Sequence, residues 1–269
     1  ISSVPNIIVG TAANISFGTF FIVAAPYVVV ATVITIFIGS KQFKIEPLES
    51  AQARRDAQAL MTQFDENDGI ESPRFFRFSA VMTVAFILVI ATTSILPWVK
   101  DLGMSFVALA FAVIMLIRFK SEVDRFYKTV DWDLLGFFAA LFIVINVMEH
   151  ARVLHLIGLG LQSIIGLGQT MGSALMLVSA AGFSSVTDNI PLAAMLAKIL
   201  GSLGTPDESS LWWTVIFGAN LGGNITPIGS ASTLVAVTIM HKHKLKMSFA
   251  GFVKVAAPYA VLQLLIATA

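Results

Sequence analysis

The stretch Ser184-Ser185-Val186-Thr187-Asp188-Asn189-Ile190-Pro191 is polar and lies between two apolar segments. Asp188 is the one acidic residue well inside the apolar tract from 153 to 205. A carboxylate at membrane depth has to be paired, protonated or hydrated, and each of these states usually serves a function. The stretch therefore predicts an ion or substrate site within a membrane protein.

A second interpretation of this stretch is a surface loop between two helices, with Asp188 as a helix cap. The hydroxyl groups of Ser185 and Thr187 are equally open, because they can bind a ligand or bond back to carbonyl groups of their own helix. Pro191 suits the start of a returning helix, where its missing N–H costs little. We favour the site, formed by Asp188, Asn189, Thr187 and Ser185.

The composition places the chain in a bilayer. Of its 269 residues, 57% are hydrophobic and 12% are charged, with a mean hydropathy of +0.85, whereas a soluble domain has about 25% charged residues. The formal net charge is +1 without a long basic run, which argues against nucleic acid as a partner. Since the chain has no cysteine, thiolate metal sites and disulfides are excluded, and no cofactor is expected.

Apolar runs long enough to cross a membrane recur along the chain. Between the first two runs, residues 40–77 carry many charges of both signs and predict a cytoplasmic connector. Residues 153–168 are apolar but short, and predict an interfacial segment. The pattern predicts an all-α, polytopic membrane protein, with crossings at 17–39, 78–98, 104–119, 132–148 and 248–268. A tight turn at 100–103 and a loop at 118–128 are expected to connect the middle crossings.

Two pairs of short apolar arms interrupt this pattern. Residues 169–204 predict a re-entrant hairpin with Asp188 at its tip, which needs protein or water around the tip. Residues 211–240 predict a broken helix, whose free carbonyl groups suit a cation and whose helix N-terminus suits an anionic solute. A small-residue seam for helix packing is the alternative. We favour a site, here comprising Asn220, Asn224, Thr226, Ser230, Ser232 and Thr233.

The basic residues predict the orientation of the chain. With the connector in the cytoplasm, 13 of the 17 Lys and Arg fall in three cytoplasmic segments, as the positive-inside rule prefers. This count requires the hairpin to enter and leave from the outside, and residues 153–168 not to cross. We expect a multi-pass integral protein of a prokaryotic inner membrane, with the lipid bilayer as a partner.

Two parts of the chain repeat one another. Residues 16–27 and 248–259 are identical at 8 of 12 positions, and residues 1–9 parallel residues 228–236. The predicted topology makes the two copies cross in opposite directions, which is an inverted repeat of the kind that builds midplane sites in secondary transporters. Through the repeat, Ser3 and Asn6 join the predicted site.

The repeat also predicts the domain organisation. Residues 1–39 are then the end of a first repeat, and a partner of the Asp188 hairpin is expected upstream of Ile1. Residues 78–269 form the second repeat, with scaffold helices over 78–150. At the end of these helices, Glu149 and His150 could relay protons, but we favour a salt-bridged helix end beside Arg152.

These residues resemble the ion transporter superfamily, which includes arsenite efflux permeases, NhaD-type sodium/proton antiporters, and citrate and divalent-anion transporters. They are most similar to its ArsB/NhaD branch. Residues 186–191 are similar to the branch's Val-Asp-Asn-Ile/Val-Pro segment, and residues 211–213 and 218–229 to its Leu-Trp-Trp and Gly-Gly-Asn-x-Thr patterns. Residues 132–138 resemble its Trp-x-x-Leu-x-Phe-Phe helix. The chain departs from the branch at Ile1 to Asn6 and at Ser232-Thr233, where ligand geometry need not be inherited.

The resemblance implies an elevator-type transporter, often a homodimer, with scaffold helices and a mobile domain of hairpins and broken helices. We predict a transporter, not an enzyme, that moves a small inorganic ion or oxyacid and couples it to H⁺ or Na⁺ through Asp188. Arsenite-type efflux is slightly favoured over sodium/proton antiport. A passive channel or a non-transporting scaffold is the alternative of another class, although two polar breaks on short arms argue against a plain scaffold.

Overall fold

The computed structural model describes residues 3–45, 47, 50–62, 64–65, 67–70, 72–93 and 99–268. Over these residues the chain is helical and contains no strand, which confirms the all-α class. The helices are, in chain order, α1 (Val4–Ala12), α2 (Phe17–Gln42), α3 (Ala51–Met61), α4 (Pro73–Thr92), α5 (Val99–Arg118), α6 (Val123–Thr129), α7 (Trp132–His150), α8 (Val153–Ile165), α9 (Gln169–Ser184), α10 (Asn189–Ser202), α11 (Ser210–Gly222), α12 (Ala231–Lys242) and α13 (Phe249–Thr268), with a 3-10 helix at Lys120–Glu122.

The helix lengths confirm a polytopic membrane protein. Among the described residues, α2, α4, α7 and α13 are long and apolar enough to cross a bilayer. The helical segments Gly103–Arg118 and Lys120–Thr129 meet at a bend of 98°. Counted together as one span, they give a fifth crossing. The helices α8 and α10 are apolar as well but shorter, and their roles as an interfacial segment and as one arm of a hairpin stay predictions.

Contacts between residues divide the chain into two units, one formed by residues 1–31 and 130–269 and the other by residues 32–129. In the second unit, α4 begins five residues before the predicted start of its crossing. Ser72 caps it by accepting a hydrogen bond from the N–H of Phe75, and Pro73 takes the first helical position, where its ring is pre-organised. Residues 94–98, the predicted end of this crossing, lie outside the described residues.

The second unit differs from the prediction in two connections. The expected tight turn at 100–103 is a short helical segment that breaks at Gly103, whose φ of 75° is accessible to glycine without a side-chain clash. The expected loop at 118–128 is largely helical. The rings of Phe75 and Phe119 pack edge to face with centroids 4.8 Å apart, which fixes the start of α4 against the end of α5.

In the first unit, α9 and α11 touch through their backbones. A Cβ atom added to Gly222 would lie 2.2 Å from the carbonyl oxygen of Ala181, and one added to Gly218 would lie 2.7 Å from the Cβ of Ala180. Gly218 and Gly222 are four residues apart and therefore lie on one face of α11. This is the small-residue packing seam that the sequence left open as an alternative.

The core of the first unit surrounds this seam. It consists of buried apolar side chains on α1, α2, α9, α10 and α11, which pack into one cluster. Because α1 contributes Val9 to this cluster, the start of the chain is held against helices more than 160 residues further on. Its largest fully buried members are Trp212, Met176, Leu200, Val9 and Val215.

The two copies of the sequence repeat begin their helices at equivalent residues. Ser16 precedes α2 and accepts a hydrogen bond from the N–H of Thr19 at 3.1 Å. Ser248 precedes α13 and accepts one from the N–H of Gly251 at 3.0 Å. Each helix then carries its repeated proline inside the helical segment. The repeat is thus reproduced in local structure, while the direction in which each copy crosses the bilayer stays a prediction.

We expect Gly222→Ala to destabilise the first unit, because the new Cβ would overlap the backbone of α9, which has no flexible atom to move aside. Such overpacking typically costs about 1–3 kcal/mol. The measurement is the apparent melting temperature of the full-length protein in detergent. Gly160→Ala in α8 is the matched control, since its added Cβ meets no atom within 4 Å. Equal melting temperatures for the two variants would contradict the contact.

Candidate functional site

Asp188 lies in the turn between α9 and α10 and caps α10. Its Oδ1 accepts a hydrogen bond from the N–H of Ile190 at 3.0 Å, and its side chain is half-buried. The cap interpretation therefore describes its local geometry. A carboxylate has about four acceptor positions, so one capping bond leaves it able to bind a cation or a proton. Its role in an ion site stays a prediction.

The hydroxyl groups beside Asp188 have two different kinds of partner. Ser185 donates to the carbonyl of Gly182 at 2.7 Å, and Thr187 donates to that of Phe183 at 2.8 Å, so both bond back to their own helix. Ser184 is fully buried and donates to the carbonyl of Ala219 in α11 at 2.6 Å. This role of Ser184 depends on how closely α9 packs against α11, which the sequence pattern alone does not contain.

The tip of the hairpin is bound to the break between α11 and α12. The buried hydroxyl of Thr226 donates to the carbonyl of Ser185. The N–H of Asn189 donates to the carbonyl of Gly229 at 3.2 Å. A Cβ at Gly229 would lie 2.8 Å from the carbonyl oxygen of Ser184, so only glycine allows this approach. The structure thus brings the two predicted polar breaks into direct contact.

The break itself ends in a cluster of hydroxyl groups at the start of α12. Ser230 caps α12 by accepting from the N–H of Thr233 at 3.3 Å. Its hydroxyl oxygen also lies 3.0 Å from the hydroxyl oxygens of both Ser232 and Thr233. Ser230 is buried and Ser232 is exposed, so the cluster reaches from the core to the surface. Asn224, also a predicted site residue, is exposed within the break.

Asn220 joins the end of α11 to the start of the chain. Its amide nitrogen donates to Oδ1 of Asn6 at 2.8 Å and to the carbonyl of Ile216 at 2.7 Å. Its amide oxygen accepts from the hydroxyl of Ser3 at 2.7 Å. Ser3 and Asn6 were predicted as site residues only through the repeat. The structure places both on Asn220, although more than 200 residues separate them in sequence.

Ser3 also occupies a position equivalent to that of Ser230 in the other copy of the repeat. Each serine immediately precedes its helix with an extended backbone, with ψ values of 151° and 152°. Ser230 caps its helix, whereas Ser3 makes no capping bond and donates to Asn220 instead. The two serines thus occupy equivalent positions in the repeat but form hydrogen bonds with different partners. Ile1 and Ser2, which also belong to the repeat, lie outside the described residues.

The two polar groups, around Asn220 and around Asp188, lie close together. Gly223 lies three residues after Asn220. A Cβ atom added to Gly223 would be 3.4 Å from the Cβ of Asn189, the residue next to Asp188. The N-termini of α1, α10 and α12 therefore gather at the C-terminus of α11. Helix N-termini carry a partial positive charge and C-termini a partial negative one. The arrangement can bind an anion and a cation side by side.

Glu149 at the end of α7 has a different partner from the one expected. It pairs with Lys198 of α10 at 3.1 Å rather than with Arg152. Arg152 begins α8 with a left-handed backbone, whose φ is 59°. The ring of His150 bonds to the carbonyl of Asn146 in its own helix. The salt bridge predicted at this helix end therefore exists, but it joins two helices.

Comparison with known proteins identifies the family. Residues 1–218 match the family model CitMHS, described as "Citrate transporter". The chain belongs to this citrate transporter family. This match confirms that the chain belongs to a family of transporters. It does not confirm the branch of arsenite permeases and NhaD-type antiporters, which stays a prediction. No solved structure matches the chain.

Several curated relatives of this citrate transporter family member are described as membrane proteins or transporters. A "46 kDa membrane protein" of Mycobacterium leprae is 26% identical over 268 residues, which cover 98% of this chain and 61% of the relative. An "Uncharacterized transporter" of Mycobacterium tuberculosis is 27% identical over 93% of this chain and 57% of the relative. The "P protein" of Sus scrofa is 30% identical over 62% of this chain and 21% of that protein. The chain thus spans roughly three-fifths of the mycobacterial relatives.

We expect Asn220 and Asn6 to be energetically coupled, because their amide groups share a hydrogen bond at 2.8 Å within a membrane protein. Interhelical hydrogen bonds in such proteins contribute about 0.6 kcal/mol on average and up to about 1.7 kcal/mol. A double-mutant cycle with Asn220→Ala and Asn6→Ala, measured by reversible unfolding, should give a coupling in this range. The control cycle pairs Asn220→Ala with Asn224→Ala and should give none. Additive effects in the first cycle would contradict the network.

Proposed function

We propose that the complete protein is a secondary active transporter whose site lies where the α9–α10 turn meets the α11–α12 break. The supporting observation is the junction of these two polar segments through the Thr226–Ser185 and Asn189–Gly229 hydrogen bonds. Interrupted helices of this kind place helix ends and polar side chains at a solute site. A packing seam alone would not require hydroxyl and amide side chains to gather there.

The substrate we propose is a small oxyanion, with a polycarboxylate such as citrate as the first candidate. Three helix N-termini provide partial positive charge, and the side chains at the junction provide amide and hydroxyl donors. The description of the family as citrate transporters favours the same chemistry.

Coupling to H⁺ or Na⁺ is assigned to Asp188 in this proposal. Asp188 is the acidic group of the junction, it is half-buried, and it uses only one oxygen for its cap. Binding a cation there would offset the charge of an anionic substrate a few ångströms away. We further propose that α9–α10 and α11–α12 move together as the mobile part of an elevator mechanism, because the hydrogen bonds above join them into one body. The resemblance to the ion transporter superfamily favours a homodimer.

A second candidate is efflux of arsenite, which is a neutral hydroxide at neutral pH. The hydroxyl cluster of Ser230, Ser232 and Thr233 favours it, because neutral hydroxyl groups can donate to and accept from such a solute without a charged partner. Sodium/proton antiport would need Asp188 alone and no binding of an oxyanion. The three activities differ in what crosses the membrane, so one transport assay separates them.

The assay uses the full-length protein in proteoliposomes. We expect labelled citrate to accumulate when a proton or sodium gradient is imposed, and not to accumulate without a gradient. Gradient-driven movement of arsenite, or sodium flux without either solute, would assign the second or third activity instead. Citrate flux that ignores both gradients would reject coupled transport and favour a passive channel.

We expect Asp188→Asn to abolish gradient-driven flux, because asparagine retains the capping acceptor but has no charge to bind a cation. The melting temperature of the variant should remain close to that of the wild type. Asp133→Asn is the matched control, since Asp133 is an exposed carboxylate in the first turn of α7. Unchanged coupling in Asp188→Asn would reject the assigned role of this residue.

A further inference from the structure

A cavity separate from the proposed site lies between α1, α7 and α10. Its volume is about 430 Å³, which is within the range of small-molecule and lipid sites. Lys198, on its wall, is ten residues beyond Asp188 on α10, or about 15 Å along the helix. Apart from Glu149, Lys198 and Ser202, its lining is apolar or glycine, namely Ile8, Ala12, Phe142, Ile145, Ala194, Ala197 and Gly201.

The lining follows a single face of each helix. On α7 the lining residues Phe142, Ile145 and Glu149 are three and four residues apart, so they form one row along the helix. On α10 small residues occupy the corresponding row, which leaves the space open. The cavity is thus a slot with apolar walls along α7, and Glu149, the last lining residue of α7, forms a charged pair with Lys198 there.

The depth of this slot in the bilayer follows from the length of α7. Its 19 residues span about 28 Å, close to the hydrocarbon thickness of about 30 Å. Glu149 is the second-last residue of α7 and therefore lies at headgroup level, while Ile145 and Phe142 lie one and two turns deeper. The neighbouring side chains Ile143, Val144 and Val147 are more than half exposed, as expected for a surface in contact with lipid.

The Lys198–Glu149 pair on the wall of the slot can form hydrogen bonds in addition to its own salt bridge. The ammonium group of Lys198 and the carboxylate of Glu149 are 3.1 Å apart, and their side chains are 49% and 38% exposed. One contact uses only part of three ammonium donors and about four carboxylate acceptor positions. An exposed pair of this kind is worth at most about 1 kcal/mol, so an incoming group can rearrange it.

We propose that the slot binds a molecule of phosphatidylethanolamine. Its phosphate would contact Lys198, its primary ammonium group would contact Glu149, and one acyl chain would lie along Ile145 and Phe142. This lipid matches both charges of the pair and the apolar walls at the appropriate depth. Phosphatidylcholine has no N–H donor for Glu149, and phosphatidylglycerol has no cation for it. A polycarboxylate substrate would be repelled by Glu149 and has no apolar part to fill the slot.

The test measures lipid binding to the delipidated full-length protein by native mass spectrometry. Dioleoyl phosphatidylethanolamine, phosphatidylcholine and phosphatidylglycerol are titrated separately in detergent. We expect the ethanolamine lipid to bind about tenfold more tightly than the other two, which is the value of one charge-assisted hydrogen bond. Equal binding of the three lipids, or no binding because another part of the full-length protein fills the slot, would overturn the proposal.

Two variants separate the headgroup contact from the acyl contact. Glu149→Gln should remove the preference for the ethanolamine over the choline lipid, and a preference that survives would overturn the assigned contact. Gly201→Leu should weaken binding of the ethanolamine lipid at least tenfold by filling the slot. An added Cβ at Gly201 meets no atom within 4 Å, and leucine favours the helix more than glycine does, so we expect the variant to fold, with a melting temperature close to that of the wild type.

Gly160→Leu in α8 is the matched control for Gly201→Leu. Gly160 also has open space at its Cβ position but does not line the slot. We expect this control to bind the ethanolamine lipid like the wild type. Equal loss of binding in both glycine variants would assign the effect to general changes in the helices and overturn the slot as the binding site.

Discussion

The backbone contact between α9 and α11 is the constraint on which the proposed site depends. Gly218 and Gly222 allow the helices to approach so closely that no side chain larger than hydrogen fits between them. Once the helices are this close, Ser184 at the end of α9 can reach the carbonyl of Ala219. The hydrogen bonds of Thr226 and Asn189 then follow within the same turn. A wider spacing would separate the hairpin tip from the break and would dismantle the junction.

Helix capping and site formation use the same residues in this protein. Asp188 and Ser230 each cap a helix, and each also lies at the junction that we propose as the solute site. One residue can serve both purposes, because a side chain that accepts a hydrogen bond from a helix N-terminus already has a fixed orientation. This dual use also explains why cap and site were competing interpretations of the same sequence: one residue type serves both purposes, and the local pattern does not distinguish them.

Much of the fold could be predicted from the sequence because helices and crossings depend on local composition. The starts of α2 and α13 follow from repeated serines at equivalent positions, and the break after Gly222 follows from its glycines and proline. Connections were harder to predict, since Ser72 and Pro73 begin α4 earlier than the apolar run indicates. The partner of Glu149 was also missed, because Lys198 and Arg152 are equally plausible cations in sequence and only helix packing selects between them.

By itself, the sequence determined that this protein is an all-α membrane protein with two polar breaks, and its repeat indicated that Ser3 and Asn6 belong to the predicted site. These properties depend on residue type and short-range order, which the sequence contains directly. Only the tertiary structure decided that the two breaks touch, that Ser184 connects them, and that a slot with two charges opens beside α7. Those features depend on distances between helices, which are set by the packing of residues far apart in the chain.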